Sequence, residues 1–170
     1  MIHLRTPLPR FEATALVDGR ETRIKSDQLK GTWSIVVFYI HDETSVCRSE
    51  VTSLADLAPE FEKLGTRLVA VSVDSLESHR RWLESGLGKA PFLWIADESK
   101  EVARQFDVLH DDTGLALRGT FIIDPDGWVR FASVYDLPTG RNTFEILRTL
   151  QALQTGQSTQ CNWKPGEPTL

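Results

Sequence analysis

Short continuous hydrophobic runs alternate along the chain with stretches in which apolar residues have helical spacing. The run SIVVFYI, from Ser34 to Ile40, is β-branched and aromatic, which is typical of a strand buried on both faces of a sheet. After a polar turn, apolar side chains recur on one helical stripe as far as Gly65, with a break expected at Pro59. We therefore predict a buried strand ending near His41 and, after it, a helix in one or two pieces.

The same alternation continues to the end of the sequence. Further elements are predicted at residues 67–73 (strand), 76–86 (helix), 92–95 (strand), 98–106 (helix) and 142–154 (helix). Asp74, Ser75 and Asp97 stand in positions to cap the two middle helices. Residues 119–134 form a predicted hairpin around the turn at 125–127. This order indicates an α/β fold with a mixed central sheet flanked by helices.

Composition favours a single globular domain. The 170 residues are 41% hydrophobic and 25% charged, which excludes disordered and fibrous classes. We predict one domain over residues 1–154 and an extended or mobile polar tail over 155–170. The net charge of −5 disfavours nucleic-acid and membrane-surface partners. The longest apolar run, 35–40, is too short to span a bilayer and no secretory signal is recognised, so a cytoplasmic location is expected.

The two cysteines, Cys47 and Cys161, are too few for a disulfide scaffold. In a reducing compartment such a pair is more often catalytic or redox-active than structural. Cys47 is predicted in the first turn of a helix, just beyond a central strand, where the helix dipole stabilises a thiolate. Arg48 or a distant arginine would add a cation. From position alone, Cys47 is either a reactive thiol or a small buried hydrophobic residue.

The segment FYIHDETSVCRSE around Cys47 resembles the peroxiredoxins, whose motif is Pro-x-x-x-Thr-x-x-Cys. Thr44 stands three residues before the cysteine and Glu50 three residues after it. Other segments that resemble this family are AVSVDSLESHRRW, SGLG at 85–88, LRGTFIIDPDG, DLPTGRN, LQALQTG and CNWKPGEPTL. They are similar to the typical two-cysteine group, which includes the peroxidase subunit of bacterial alkyl hydroperoxide reductase. The resemblance implies a thioredoxin-like fold and peroxide reduction, with no bound cofactor expected.

The resemblance also implies roles for individual residues. Cys47 would be the nucleophile that attacks the peroxide, Thr44 would hydrogen-bond the peroxide, and Arg118 in LRGTF would donate to both thiolate and peroxide. Considered without the family, Arg118 is a solvated loop arginine and Thr44 a turn or cap residue. Glu50 is also suited to cap the helix start, so we expect it at most to act through other residues of the site, without contacting the peroxide.

Oxidation of Cys47 to a sulfenic acid would be followed by a disulfide with a second thiol. Cys161 is the candidate, because in the family the resolving cysteine comes from the carboxyl-terminal segment of the partner subunit. A homodimer is therefore implied, with a decamer as a further option. A thioredoxin-like or flavoprotein reductant would reopen the disulfide. The alternative for Cys161 is an unpaired tail thiol.

Several positions depart from the family pattern, including Glu43 and Ser45 in place of the aromatic residues that usually flank Thr44. Ile40 stands where the motif has proline and keeps only its bulk. Arg48 replaces the proline that usually follows the cysteine, and its charge lies at the unfavourable end of the helix dipole, so its effect on the thiol could have either sign. Cys161 lies two residues closer to Trp163 than the usual resolving cysteine, a shift of only ~7 Å in an extended chain. Two alternatives stay open: a non-catalytic holdase or binding protein, and a one-cysteine peroxidase that uses an external thiol.

Other kinds of site find little support. The histidines have no metal-ligand spacing with one another or with the cysteines, so no metal is predicted. All four histidines are expected at the surface: His3, His41, His79 and His110. The tryptophans are expected in the core or at an interface: Trp33, Trp82, Trp94, Trp128 and Trp163. The sequence contains no phosphate-binding loop, dinucleotide fingerprint, Gly-x-Ser-x-Gly turn or Cys-x-x-Cys pair.

Overall fold

A computed structural model describes residues 3–87 and 90–170, so Gly88 of the SGLG segment lies outside the described residues. In this part of the chain the strands are β1 (Glu12–Val17), β2 (Arg20–Lys25), β3 (Trp33–Phe38), β4 (Thr66–Ser72), β5 (Leu93–Ala96), β6 (Leu109–His110), β7 (Leu115–Ala116), β8 (Arg118–Ile123) and β9 (Val129–Tyr135). The α-helices are α1 (Ser45–Asp56), α2 (Ala58–Lys63), α3 (Leu76–Trp82), α4 (Glu101–Gln105) and α5 (Thr143–Gln154).

The main sheet has the strand order β2-β1-β5-β4-β3-β8-β9. Strands β3, β4 and β5 are parallel, whereas β1, β2, β8 and β9 pair antiparallel with their neighbours. Parallel pairing requires crossover connections, which α1 and α2 supply between β3 and β4, and α3 between β4 and β5. The predicted α/β fold with a mixed central sheet is confirmed.

Most of the predicted elements are present within two or three residues of their predicted bounds. The helix after β3 is broken as expected, because α1 ends at Asp56 and α2 begins at Ala58. Pro59 then lies in the first turn of α2, where its missing N–H removes no helical hydrogen bond. The predicted helix at 76–86 is regular only to Trp82 and continues as a wide turn over Leu83–Leu87. Residues 98–106 contain a shorter helix than predicted, α4.

Two of the three predicted caps are confirmed. The Ser75 hydroxyl accepts from the Ser78 amide at the start of α3, over 3.2 Å. The Asp97 carboxylate accepts from the amides of Val102 and Ala103 over 3.0 and 2.8 Å. Asp74 is not a helix cap, because its carboxylate bonds the loop after β3 instead.

The structure contains a hairpin, formed by β1 and β2, that the hydrophobic pattern did not predict. Asp18 and Gly19 connect its strands, with φ angles of 49° and 75°. Two consecutive positive φ angles are what a two-residue hairpin turn requires, and Asp-Gly is a typical sequence for it. The dipeptide was therefore a usable signal for this hairpin.

Side chains of the sheet pack into two cores because successive residues of a strand face opposite sides. On β3, Ile35 and Val37 face the core covered by α1, α2, α3 and α5, whereas Val36 and Phe38 face the core covered by α4. Cys47 belongs to the first core. None of the helices in the described ranges is long and apolar enough to cross a membrane.

The tail over residues 155–170 has no helix or strand, but it is not extended. The Leu170 amide donates to the Ser158 carbonyl over 2.8 Å, so the tail turns back on itself. Trp163 is only 3% exposed, and Arg148 of α5 donates to its carbonyl over 3.1 Å. The tail is therefore anchored against α5. Like Trp163, Trp82 and Trp94 lie in the interior, as predicted, whereas Trp128 is exposed.

Candidate active site

Cys47 lies in the first turn of α1, which begins at Ser45, shortly after the end of β3. This placement is the predicted one. The cysteine is 0% exposed and packs in the core that also contains Tyr39 and Trp82. Burial alone fits both a core residue and a reactive thiol, so the polar groups around the sulfur decide between them.

Arg118 brings a guanidinium group to the sulfur. Its Nη1 donates to Cys47 Sγ over 3.3 Å and to Glu50 Oε2 over 2.8 Å, and its Nε donates to the Leu137 carbonyl over 2.7 Å. Strand β8 starts at Arg118 and pairs antiparallel with β3, so its first residue lies beside the end of β3. At 2% exposure, Arg118 is not a solvated loop arginine, so that alternative is wrong.

Glu50 is held by a second arginine that the predicted site did not include. Arg141 donates to Glu50 Oε1 from its backbone amide and from Nε, over 2.8 and 2.9 Å, and to Oε2 from Nη2 over 2.8 Å. This is a bidentate arginine–carboxylate pair. Glu50 therefore does not cap α1, and its side chain joins Arg118 to Arg141. Arg141 stands in DLPTGRN, but only its contacts distinguish it from a surface arginine.

The three charged groups leave one positive charge in excess. Burial by itself raises the pKa of Glu50, but the hydrogen bonds and charge of Arg141, with the charge of Arg118, outweigh it and hold that pKa below its usual value. Glu50 is therefore ionised at neutral pH and balances only one of the two guanidinium groups. The excess charge lies against the sulfur of Cys47, where it stabilises negative charge on sulfur.

Thr44 is the exposed residue immediately before α1. Its hydroxyl donates to the His41 carbonyl over 3.1 Å and accepts no hydrogen bond from the first amides of the helix. Because the hydroxyl hydrogen is directed to His41, the lone pairs of the oxygen can accept from a ligand. Thr44 thus offers an acceptor at the exposed start of the turn that carries Cys47.

Ile40 and Arg48, two of the residues that depart from the family pattern, have separate surroundings. Ile40 is half-buried and packs against the core that contains Cys47. The Arg48 guanidinium lies over the buried ring of Trp82, 6.0 Å from its centroid, which is a cation–π distance. Arg48 forms no ion pair with any residue in 3–87 or 90–170. It is therefore held by an aromatic ring and not by a carboxylate.

Both cysteines are free thiols, and they differ in exposure. Cys47 is buried, whereas Cys161 is exposed in the tail. The structure therefore joins Cys47 to Arg118 and Glu50, but it does not join Cys161 to them.

The expected surface position of the histidines is wrong for one of them. His79 is fully buried and bonded to Asp42, whereas His3 is exposed and His41 and His110 are partly buried. Hydrogen bonds to a buried carboxylate allow the ring to lie inside the protein. No group of three or more His, Cys, Asp or Glu side chains that could hold a metal ion is present among the described residues.

Comparisons with known proteins cover nearly the whole chain. Residues 4–132 match the AhpC/TSA family. The chain is 40% identical over 177 residues to peroxiredoxin-2 of Rattus norvegicus, covering 99% of this chain and 89% of the relative. It is 40% identical over 171 residues to the mitochondrial thioredoxin-dependent peroxide reductase of Homo sapiens, covering 95% of this chain and 67% of the relative. The structure of the reduced 2-Cys peroxiredoxin of Plasmodium vivax superposes with a TM-score of 0.93 at 29% identity, and the match covers 99% of this chain and 93% of that one.

Proposed function

The chain belongs to the AhpC/TSA family and is a peroxiredoxin, a thiol-dependent peroxidase with a thioredoxin-like fold, and on this premise we propose that Cys47 is its peroxide-reducing thiol. The observation that carries the proposal is the hydrogen bond from Arg118 to a buried sulfur. The excess positive charge beside that sulfur favours the thiolate, which is the nucleophilic form. The substrates are hydrogen peroxide and alkyl hydroperoxides.

The reaction begins when the Cys47 thiolate attacks one oxygen of the hydroperoxide. A sulfur–oxygen bond forms and the oxygen–oxygen bond breaks, so the departing oxygen leaves as hydroxide or alkoxide and takes up a proton to become water or an alcohol. The sulfur loses two electrons and becomes a sulfenic acid, and the peroxide gains the same two electrons.

The neighbouring residues stabilise and orient this transfer. Arg118 donates to the sulfur and to the oxygens on which negative charge develops. Thr44 accepts a hydrogen bond from the peroxide, since its own hydrogen is used on His41. Glu50 and Arg141 hold the Arg118 guanidinium in one orientation. Ile40 adds apolar bulk to the core that contains Cys47.

We propose that Cys161 of a second copy resolves the sulfenic acid. The Cys161 thiol replaces the hydroxyl on the Cys47 sulfur, which forms the disulfide and releases water. Cys47 is fully buried, so the first turn of α1 must unwind before the two sulfurs meet. The protein would then act in the cytoplasm as a homodimer, with a decamer as a further assembly. The name of the human relative supports a thioredoxin-like reductant, and a flavoprotein is the other option.

A one-cysteine peroxidase is the second candidate, and the tail favours it. Trp163 anchors the tail against α5, only two residues after Cys161. If that anchor also holds in the oxidised protein, Cys161 stays away from Cys47 and an external thiol reduces the sulfenic acid. The two candidates share the peroxide step and differ only in which thiol reacts with the sulfenic acid.

Intact mass measured without reductant separates these possibilities. Reduced wild type, Cys47→Ser and Cys161→Ser are each treated with one equivalent of hydrogen peroxide. We expect a covalent dimer for wild type, no change for Cys47→Ser, and for Cys161→Ser a monomer heavier by about 16 mass units per added oxygen. Wild type that gains oxygen without forming a dimer would support the one-cysteine candidate. Wild type of unchanged mass would refute Cys47 as the peroxide-reducing thiol.

A further inference from the structure

The loop between β3 and α1, residues 39–44, is fastened to the body of the protein by a buried polar cluster. Asp42 lies in this loop, and its carboxylate is almost fully buried. Its Oδ1 accepts from the Tyr39 hydroxyl over 2.7 Å, and its Oδ1 and Oδ2 lie 3.1 and 2.9 Å from His79 Nδ1. His79 belongs to α3, 37 positions further along the chain. The loop that leads to Cys47 is thus tied to a different helix.

The imidazole of His79 has a polar partner at each ring nitrogen. His79 Nε2 lies 3.3 Å from the Ile95 carbonyl, which can only accept, so Nε2 carries a hydrogen. Nδ1 faces the Asp42 carboxylate, 2.9 Å from Oδ2. Burial by itself raises the pKa of Asp42, but the hydrogen bond and charge of His79 outweigh it and keep that pKa low. The Asp42 carboxylate is therefore a buried acceptor that Tyr39 and His79 hold together.

A second anchor holds the backbone of the same loop. Asp74, at the carboxyl end of β4, accepts from the Asp42 amide over 3.0 Å, and its other oxygen lies 3.0 Å from His41 Nδ1. The Ser72 hydroxyl donates to Asp74 over 2.7 Å. This is why Asp74 does not cap α3. The loop is therefore bonded at position 42 both to Asp74, at the end of β4, and to His79 of α3.

These anchors bear directly on Thr44. Its hydroxyl donates to the carbonyl of His41, inside the anchored segment. The one residue between Asp42 and Thr44 is Glu43, which has a φ of 62°, a left-handed conformation that costs free energy for a non-glycine residue. Such a conformation persists only where its surroundings impose it. The bonds at 41 and 42 supply that restraint.

We propose that Asp42, bound by His79 and Tyr39, is a positioning residue for the peroxide step, because it sets the place of the Thr44 hydroxyl, three residues before Cys47. This inference rests on the proposed function of Cys47 and Thr44. It concerns orientation only, since Asp42 contacts the loop and not the sulfur. Losing the anchor would therefore slow the reaction with peroxide and leave the intrinsic reactivity of the thiol unchanged.

The test compares Asp42→Ala and Asp42→Asn with wild type in the reduced full-length protein. We expect Asp42→Ala to lower the second-order rate constant with hydrogen peroxide about 10- to 100-fold, the range that misplacing a positioning group produces. Asp42→Asn keeps an acceptor oxygen and should recover part of this loss. The rate at which iodoacetamide alkylates Cys47 should stay within about twofold of the wild-type rate, because this rate depends on the thiolate and not on how the peroxide is oriented. Asp126→Asn, an exposed carboxylate at the opposite end of the sheet, is the matched control.

A double-mutant cycle identifies the route of the effect. If Asp42 acts through Thr44, then Asp42→Ala added to Thr44→Ala should change the rate constant by no more than about twofold. Equal losses in the wild-type and Thr44→Ala backgrounds would overturn the inference, as would an alkylation rate that falls with the peroxide rate. Where Asp42→Ala fails to fold, the same cycle is run with Asp42→Asn. Wild type that consumes no peroxide would overturn the proposed function itself, whereas an active wild type matched by both Asp42 variants would overturn only the positioning role.

Discussion

Arg118 donates a hydrogen bond to the sulfur of Cys47 over 3.3 Å, although the two residues are 71 positions apart in the sequence. The same nitrogen also donates to Glu50 over 2.8 Å, so the sulfur shares its donor with a carboxylate. Because Arg141 donates to both oxygens of that carboxylate, the Arg118 guanidinium is fixed before any substrate arrives. The geometry of three buried charges thus orients the guanidinium that donates to the sulfur.

Replacing Arg118 by lysine should abolish most of the peroxide reaction. Lysine keeps the charge but has a single nitrogen, so it cannot donate to Cys47, Glu50 and the Leu137 carbonyl at once. We expect a fall of about 10²- to 10³-fold in the rate constant with hydrogen peroxide, measured by stopped-flow fluorescence. Arg130→Lys, in a half-exposed pair with Asp124, should leave the rate unchanged. A rate for Arg118→Lys close to that of wild type would contradict the assignment.

Replacing Glu50 by glutamine should strongly destabilise the fold, because Arg118 and Arg141 would be left buried without a counter-charge. Removing one partner of a buried ion pair typically lowers the free energy of unfolding by about 3–5 kcal/mol. Chemical denaturation at neutral pH measures this loss. Glu60→Gln, which breaks only an exposed pair with Lys63, is the control and should cost about 1 kcal/mol or less.

The same variant should change how stability depends on pH. The folded pKa of Glu50 lies below its unfolded value, so its ionised form stabilises the fold above the unfolded pKa. That stabilisation is lost as the pH falls through the folded pKa. The difference in unfolding free energy between wild type and Glu50→Gln should therefore be largest at neutral pH and shrink below about pH 4. A difference independent of pH would show that packing, and not charge, is lost.

Replacing Arg48 by glutamine should loosen the first turn of α1. The variant removes the cation over the Trp82 ring while keeping a similar helix propensity. We expect the free energy of unfolding to fall by about 0.5–1 kcal/mol, and disulfide formation to speed up because that turn must unwind to expose Cys47. Denaturation and the rate of covalent dimer formation measure the two effects. Arg81→Gln, an exposed arginine on α3, is the control, and equal dimerisation rates in wild type and Arg48→Gln would refute the prediction.

Replacing Trp163 by alanine should release the tail from α5. The indole is buried, and its Nε1 donates to the Glu167 carbonyl over 3.0 Å, so truncation removes both the packing and the turn after it. We expect backbone amides over 155–170 to exchange with solvent about 100-fold faster, in line with losing a buried tryptophan from a locally opening segment. Trp128→Ala, an exposed tryptophan, should leave exchange in the tail unchanged. Unchanged exchange in Trp163→Ala would mean that other contacts hold the tail.

Much of the fold could be predicted from local pattern. The β-branched run before His41, the helical stripe broken near Pro59 and the turn at 125–127 all correspond to elements of the structure, since each depends on neighbouring residues. The shortened helix α4 and the wide turn after Trp82 could not be predicted in this way. After Trp82 the apolar spacing continues past the end of the regular helix, and α4 begins only at Glu101 because Lys100 before it has a left-handed φ of 62°.

The residues of the candidate site likewise separate into those that local sequence predicts and those that it does not. Position and family resemblance were enough to single out Cys47, Thr44 and Arg118, because a motif and a strand end are local properties. Arg141 and His79 were not predicted as site residues, because their bonds to Glu50 and Asp42 span 91 and 37 positions. Chain segments so far apart meet only when the sheet and its helices assemble. Local sequence therefore determines which residues can do chemistry here, and tertiary packing alone determines which charges meet the sulfur and hold the loop beside it.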